Sequence, residues 1–150
     1  GQLMWSDSGN GYFTVNTDGT KGFVGFAKDK SLHLGGITLA TSNEFAVILL
    51  TSLDKDKGIQ DASRILVTAI GRAKNTGMEI CRERAELMSV GVAPLLVEPV
   101  DFVLSFNSEK KPRITVLNHT GHKTDKTIKY KKRTSFKGSS SKSFYYLLEF

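Results

Sequence analysis

No stretch of this chain keeps a helical period for more than a turn or two. Runs of β-branched and aromatic residues recur instead, with turn signals roughly every 8 to 12 residues. "GYFTVNT" (11–17) and "KGFVGFA" (21–27) flank Asp18-Gly19 and predict a hairpin. "SLHLGGITLAT" (31–41) reads as two strands broken at Gly35-Gly36. "EFAVILLTSL" (44–53) and "SRILVTAIGRA" (63–73) are apolar at both parities, as expected of central strands covered on both faces. "ERAELMSV" (83–90) has the spacing of one or two helical turns. "PLLVEPVDFVLSF" (94–106) predicts two strands kinked at Pro99, at an edge or bulge. "RITVLN" (113–118), "TIKYKKRTSF" (127–136) and "FYYLLEF" (144–150) read as further strands, with a turn at "GSSSKS" (138–143). The expected fold class is all-β: an antiparallel β-sandwich, jelly-roll-like, of ten or more short strands, with residues 1–150 forming one domain.

Composition narrows the function classes. The single cysteine, Cys81, forms no internal disulfide, so the core must come from burial. No apolar run approaches the ~18 residues of a membrane helix, and "GQLMWSDSGNG" at the start lacks the basic and apolar regions of a signal peptide. The net charge of +6 is unevenly spread. Residues 107–142 hold eleven Lys/Arg against Glu109 and Asp125, a local charge of +9, whereas residues 1–106 carry −2.

Catalytic and metal motifs are missing. His119 and His122 stand three apart with no convergent third ligand. "NTDG" (16–19) and "DKDKG" (54–58) offer oxygens that suit a structural calcium, but no cofactor is required. There is no nucleophile elbow and no phosphate loop. Glu44, Glu79, Glu98 and Asp101 do not single out the carboxylate pair a glycosidase needs. Tyr and Trp, apolar bodies with polar handles, suit stacking on sugar rings, which brings forward Trp5, Tyr12, Tyr130 and Tyr145. In "YFTVN", Phe13 and Val15 read as core, which turns Tyr12 outward. Tyr130 shares a face with Ile128 and Lys132, and Tyr145 with Leu147 and Glu149. Arg82 and Asn75 are candidate polar contacts. The lysine-rich 122–142 segment fits a solvated edge strand better than a nucleic-acid or polyanion site.

"NEFAVILLTSLD" (43–54), "SRILVTAIGRAKNTGM" (63–78) and "APLLVEPVDF" (93–102), in that order and spacing, resemble the β-sandwich accessory domains that follow catalytic domains in bacterial glycoside hydrolases acting on cellulose, mannan or agar. "GYFTVNTDGTKGFVGFA" (11–27) and "FYYLLEF" resemble the opening and closing strands of those domains. Two departures stand out: Asp18-Gly19 where such domains carry proline, and Glu79-Ile80-Cys81-Arg82 where they carry an aromatic soon after "NTGM". The basic stretch from 119 to 142 lies outside the resemblance. The resemblance implies a non-catalytic module of a larger secreted bacterial enzyme, hence extracellular. It implies as partners a catalytic domain of the same chain and plant cell-wall polysaccharide such as β-glucan, xyloglucan or mannan. The expected function is carbohydrate binding by aromatic stacking; the alternative is a structural accessory domain without sugar affinity.

Overall fold

The computed structural model describes residues 1–81, 83–107 and 109–150. The chain runs through β1 (Leu3–Ser6), β2 (Tyr12–Asn16), β3 (Thr20–Gly25), β4 (Ser31–Leu34), β5 (Ile37–Thr41), β6 (Ala46–Ser52), β7 (Arg64–Ile70) and β8 (Ala73–Thr76). It continues through β9 (Glu79–Cys81), β10 (Glu86–Ser89), β11 (Val92–Val97), β12 (Asp101–Phe106), β13 (Arg113–Leu117), β14 (Lys123–Ile128) and β15 (Thr134–Lys137). A single helical turn, α1 (Gly138–Ser141), precedes β16 (Tyr145–Glu149). Strand makes up 55% of the structure and helix 3%, so the fold is the all-β sandwich expected.

Two antiparallel sheets face each other. The larger has eight strands in the order β1-β2-β3-β6-β7-β16-β13-β14, and the smaller four, β15-β12-β5-β4. Alternation along the strands sends Phe23, Ile48, Leu50, Ile65, Val67, Tyr146 and Leu148 inward from the large sheet. They meet Leu39, Phe102, Leu104 and Phe136 of the small one. Phe102 and Phe136 stack at 4.5 Å, and the Tyr146 ring meets Phe136 edge-on at 5.0 Å. The two strands read as central, β6 and β7, do lie side by side in the middle of the large sheet.

Several elements differ from their sequence signals. β6 and β7 are not covered on both sides: Val47, Leu49, Leu66 and Ile70 point outward and are half-buried, because the small sheet covers only the inner face. The 83–90 segment holds the strand β10, paired with β9, rather than helix. The 127–136 run divides into the end of β14 and the start of β15, which belong to different sheets, and the "GSSSKS" turn contains α1. Pro99 falls between β11 and β12, and β12 lies inside its sheet. Among the described residues no helix is long and apolar enough to cross a membrane.

β8 to β11 form neither sheet. β8 pairs with β11, and β9 with β10, so residues 73–81 and 83–97 make a two-stranded arm whose strands, among the described residues, pair only with one another. The arm leaves the large sheet after β7 and returns to the small sheet at β12. The pairing breaks between its two ladders where Gly77 and Gly91 take φ of +71° and +70°, a backbone state glycine adopts without penalty. At the base, Glu98 N–H donates to the Arg72 carbonyl at 2.8 Å, and the Arg72 guanidinium reaches the Glu98 carboxylate at 2.9 Å. Asn43 closes the base: its Nδ2 donates to the Pro99 carbonyl, and its Oδ1 accepts from Asp101 N–H, both at 2.9 Å.

Candidate functional site

The four aromatics do not form one surface. Trp5 is 67% exposed on the edge strand β1, its ring lying over Gly11. Tyr12 is turned the other way from its expected direction. β2 is registered so that Tyr12 and Thr14 sit opposite Gly25 and Phe23, on the inner face, and Phe13 and Val15 face out. Tyr12 therefore packs against the core, with the Lys30 ammonium 5.4 Å from its ring centre. Tyr130 also packs against the core. Tyr145 shares the outer face of the large sheet with Trp5, but five strand spacings separate them, roughly 24 Å. Asn75 is committed inside the arm, its Nδ2 donating to the Val90 carbonyl at 3.0 Å. Arg82 lies outside the described residues.

Tyr145 lines a cleft of about 490 Å³ with Leu53, Leu66, Leu147, His119 and Lys123. A neighbouring cleft of about 440 Å³ lies beyond His119, between Phe144 and the base of the arm at Leu95 and Val97. The His119 ring rests against Phe144 at 4.9 Å, and His122 bonds to the Thr120 hydroxyl at 2.9 Å. Among the described residues no group of three or more His, Cys, Asp or Glu gathers as a metal site would. In the two loops considered for calcium, Asn16 Oδ1 accepts from the buried Lys21 ammonium at 2.6 Å, and Asp54 accepts from the Ser63 hydroxyl and N–H.

Of the acidic residues, Glu44, Glu98 and Asp101 are held as structural partners. Glu44 pairs with Lys28 and Glu98 with Arg72; hydrogen bonds from these cations hold both carboxyls below their ordinary range. A general acid needs the opposite shift. Arg64, at the start of β7, and Arg72, just past its end, pair with Asp54 and Glu98. On the arm, a hydrogen bond from Arg84 lowers the Cys81 thiol.

The feature missed from sequence is the arm's surface. Among the described residues twelve large apolar side chains are exposed, and seven of them lie between positions 80 and 96: Ile80, Leu87, Met88, Val90, Val92, Leu95 and Leu96. Ile80 and Leu87 are direct cross-strand partners and so share a face. A two-stranded ribbon has no second layer to cover such residues. The signal available was the run of apolar residues from Leu87 to Leu96, interrupted by small ones.

No family model, curated protein or solved structure matches this chain.

Proposed function

We propose that this chain is a non-catalytic β-sandwich accessory module that docks through its arm onto a glycoside hydrolase catalytic domain of the same polypeptide. The observation that carries this is the concentration of exposed apolar side chains on residues 80–96. Contiguous apolar patches on soluble domains mark interaction surfaces. Exposures of 46% to 67% over seven residues equal about four fully exposed aliphatic side chains. Burying all of them is worth roughly 6 to 12 kcal/mol gross, and a partner covering one face of the ribbon gains about half of that, since neighbouring strand residues point to opposite faces. A free partner would lose most of that to association entropy, about 4 to 15 kcal/mol. A tethered domain avoids much of that loss through its high effective concentration, which favours a neighbour in the same chain. The half-buried apolar outer face of β6 and β7 offers a second contact area.

The second reading is binding of neutral plant polysaccharide, and the Tyr145 cleft is what favours it. Two measurements separate the readings. Hydrogen exchange of residues 80–96 is expected to slow when the module is joined to its catalytic domain, and Leu87→Lys with Leu95→Lys to abolish the slowing. Equal exchange with and without the catalytic domain would remove the docking proposal. Retardation in gels containing xyloglucan, mannan or hydroxyethylcellulose, lost in Tyr145→Ala, would establish the sugar-binding reading in its place.

A further inference from the structure

A different part of the molecule concentrates positive charge. Of the eleven cations in residues 107–142, only Lys123 and Lys137 pair with carboxylates, Glu149 and Asp101. The other nine have no carboxylate partner among the described residues. The excess positive charge is thus unneutralised by the fold. It also surrounds cavities. A cleft of about 480 Å³ opens at the end of the sandwich where β13 begins and β14 ends. Lys111 and Lys132 line its walls, Phe106 and Tyr130 its apolar side, and Asn107 and Glu109 its rim. The next residue after Lys132, Arg133, lines a groove that crosses the outer face of the small sheet in two sections, of about 240 and 350 Å³. The floor of that groove is made of short side chains, with the hydroxyls of Ser31, Thr38, Ser105 and Ser135. Lys30 and Lys137 stand at its far end.

We propose that this end cleft and groove form a binding site for an acidic polysaccharide, carboxylated or sulfated, with Lys111, Lys132 and Arg133 as its anion contacts. The lining decides between this and nucleic acid. Single-stranded nucleic acid is held by free aromatic faces on which bases stack, but Phe106 is buried and Tyr130 packs against the core. Asp29, Asp101 and Glu109 lie among the cations. These carboxylates accept hydrogen bonds from sugar hydroxyls, as do the four serine and threonine hydroxyls. A polymer that carries hydroxyls as well as anions fits both sets of groups. The site is separate from the arm and does not depend on what the arm docks against.

The test is affinity electrophoresis of the chain in gels containing polygalacturonate, dextran sulfate or uncharged dextran, at low and high salt, beside band shifts with single- and double-stranded DNA. Retardation by at least one acidic polymer and not by uncharged dextran is expected, weakening as salt rises. Which acidic polymer binds distinguishes carboxylate from sulfate. Lys111→Glu with Lys132→Glu, both at exposed positions, is expected to weaken binding about tenfold or more, or about 1.4 kcal/mol. Lys55→Glu with Lys57→Glu makes the same change of charge on a remote exposed turn and is expected to leave binding within about twofold. Equal loss in the two double variants would reduce the effect to net charge and overturn the site. So would no retardation by either acidic polymer, or tighter binding to DNA than to both.

Discussion

Asp54 shows how one side chain can hold a loop to a strand. Its Oδ2 accepts from Ser63 N–H and Oγ–H, at 2.5 and 2.6 Å, and its Oδ1 lies 3.4 Å from Arg64 Nε. Its side chain is only 10% exposed. The Ser63 bonds, hydroxyl first, bring its carboxyl down to about 2. The unfolded chain binds that proton more tightly, near the ordinary value of about 3.9. Stability from Asp54 is therefore fully present above roughly pH 5 and is lost as pH falls toward 2. Asp54→Asn should flatten the acid limb of a urea-midpoint-versus-pH curve between about pH 5 and 2, and an unchanged slope would show the bonds carry no differential energy. Tyr146 is a buried counterpart: burial pushes its hydroxyl pKa up, and it bonds to Ser141 at 2.8 Å. Tyr146→Phe should cost about 1 kcal/mol in urea unfolding. At this scale the shared face of Tyr145, Leu147 and Glu149 was legible from alternation along their strand. The direction of Tyr12 was not. "YFTVN" has bulky residues at both parities, and alternation separates two faces without saying which one meets the core.

The arm was the element least legible from the sequence. Sequence periodicity reports burial, and a ribbon with no buried face has no period to report. Leu87 and Met88 are adjacent and both exposed, a pattern that belongs to neither a helix nor a sheet on a core. The chance spacing of "ERAELMSV" supplied the helical signal instead. Its isolation has an energetic consequence. Because the arm's strands pair only with one another, damage to it should not spread. Gly91 tests this. A methyl group there would stand 2.4 Å from the Thr76 carbonyl oxygen, at φ +70°. Gly91→Ala should raise hydrogen exchange across residues 73–97 by tenfold or more, about 1.4 kcal/mol of local stability. The main thermal transition should stay within a few degrees of its original midpoint. A large fall in that midpoint would show that the arm is part of the cooperative core. Asn43→Ala differs, since Asn43 joins the arm's base to the small sheet. It should lower global stability by about 1 to 3 kcal/mol in urea unfolding.

At the scale of the whole molecule, eight strands face four. The sandwich class followed from many short strands with frequent turns, and the central place of β6 and β7 from their unbroken apolar runs. Those runs could not reveal that one face lacks a covering layer, because an apolar side chain reads the same whether its neighbour belongs to this domain or to another. The asymmetry makes consecutive residues behave differently. Ile48 is fully buried against the small sheet, and Leu49, the next residue, points to the half-buried outer face. Ile48→Ala leaves a cavity between two sheets and should cost about 2 to 5 kcal/mol. Leu49→Ala loses partial burial with nothing above it to leave a void and should cost about 1 kcal/mol. Urea unfolding of the isolated chain measures both, provided the slope with denaturant is unchanged. Equal costs would mean that the outer face is already packed in the isolated chain. A Leu49→Ala cost that grows when the module is joined to a catalytic domain would mean that the missing layer comes from that neighbour.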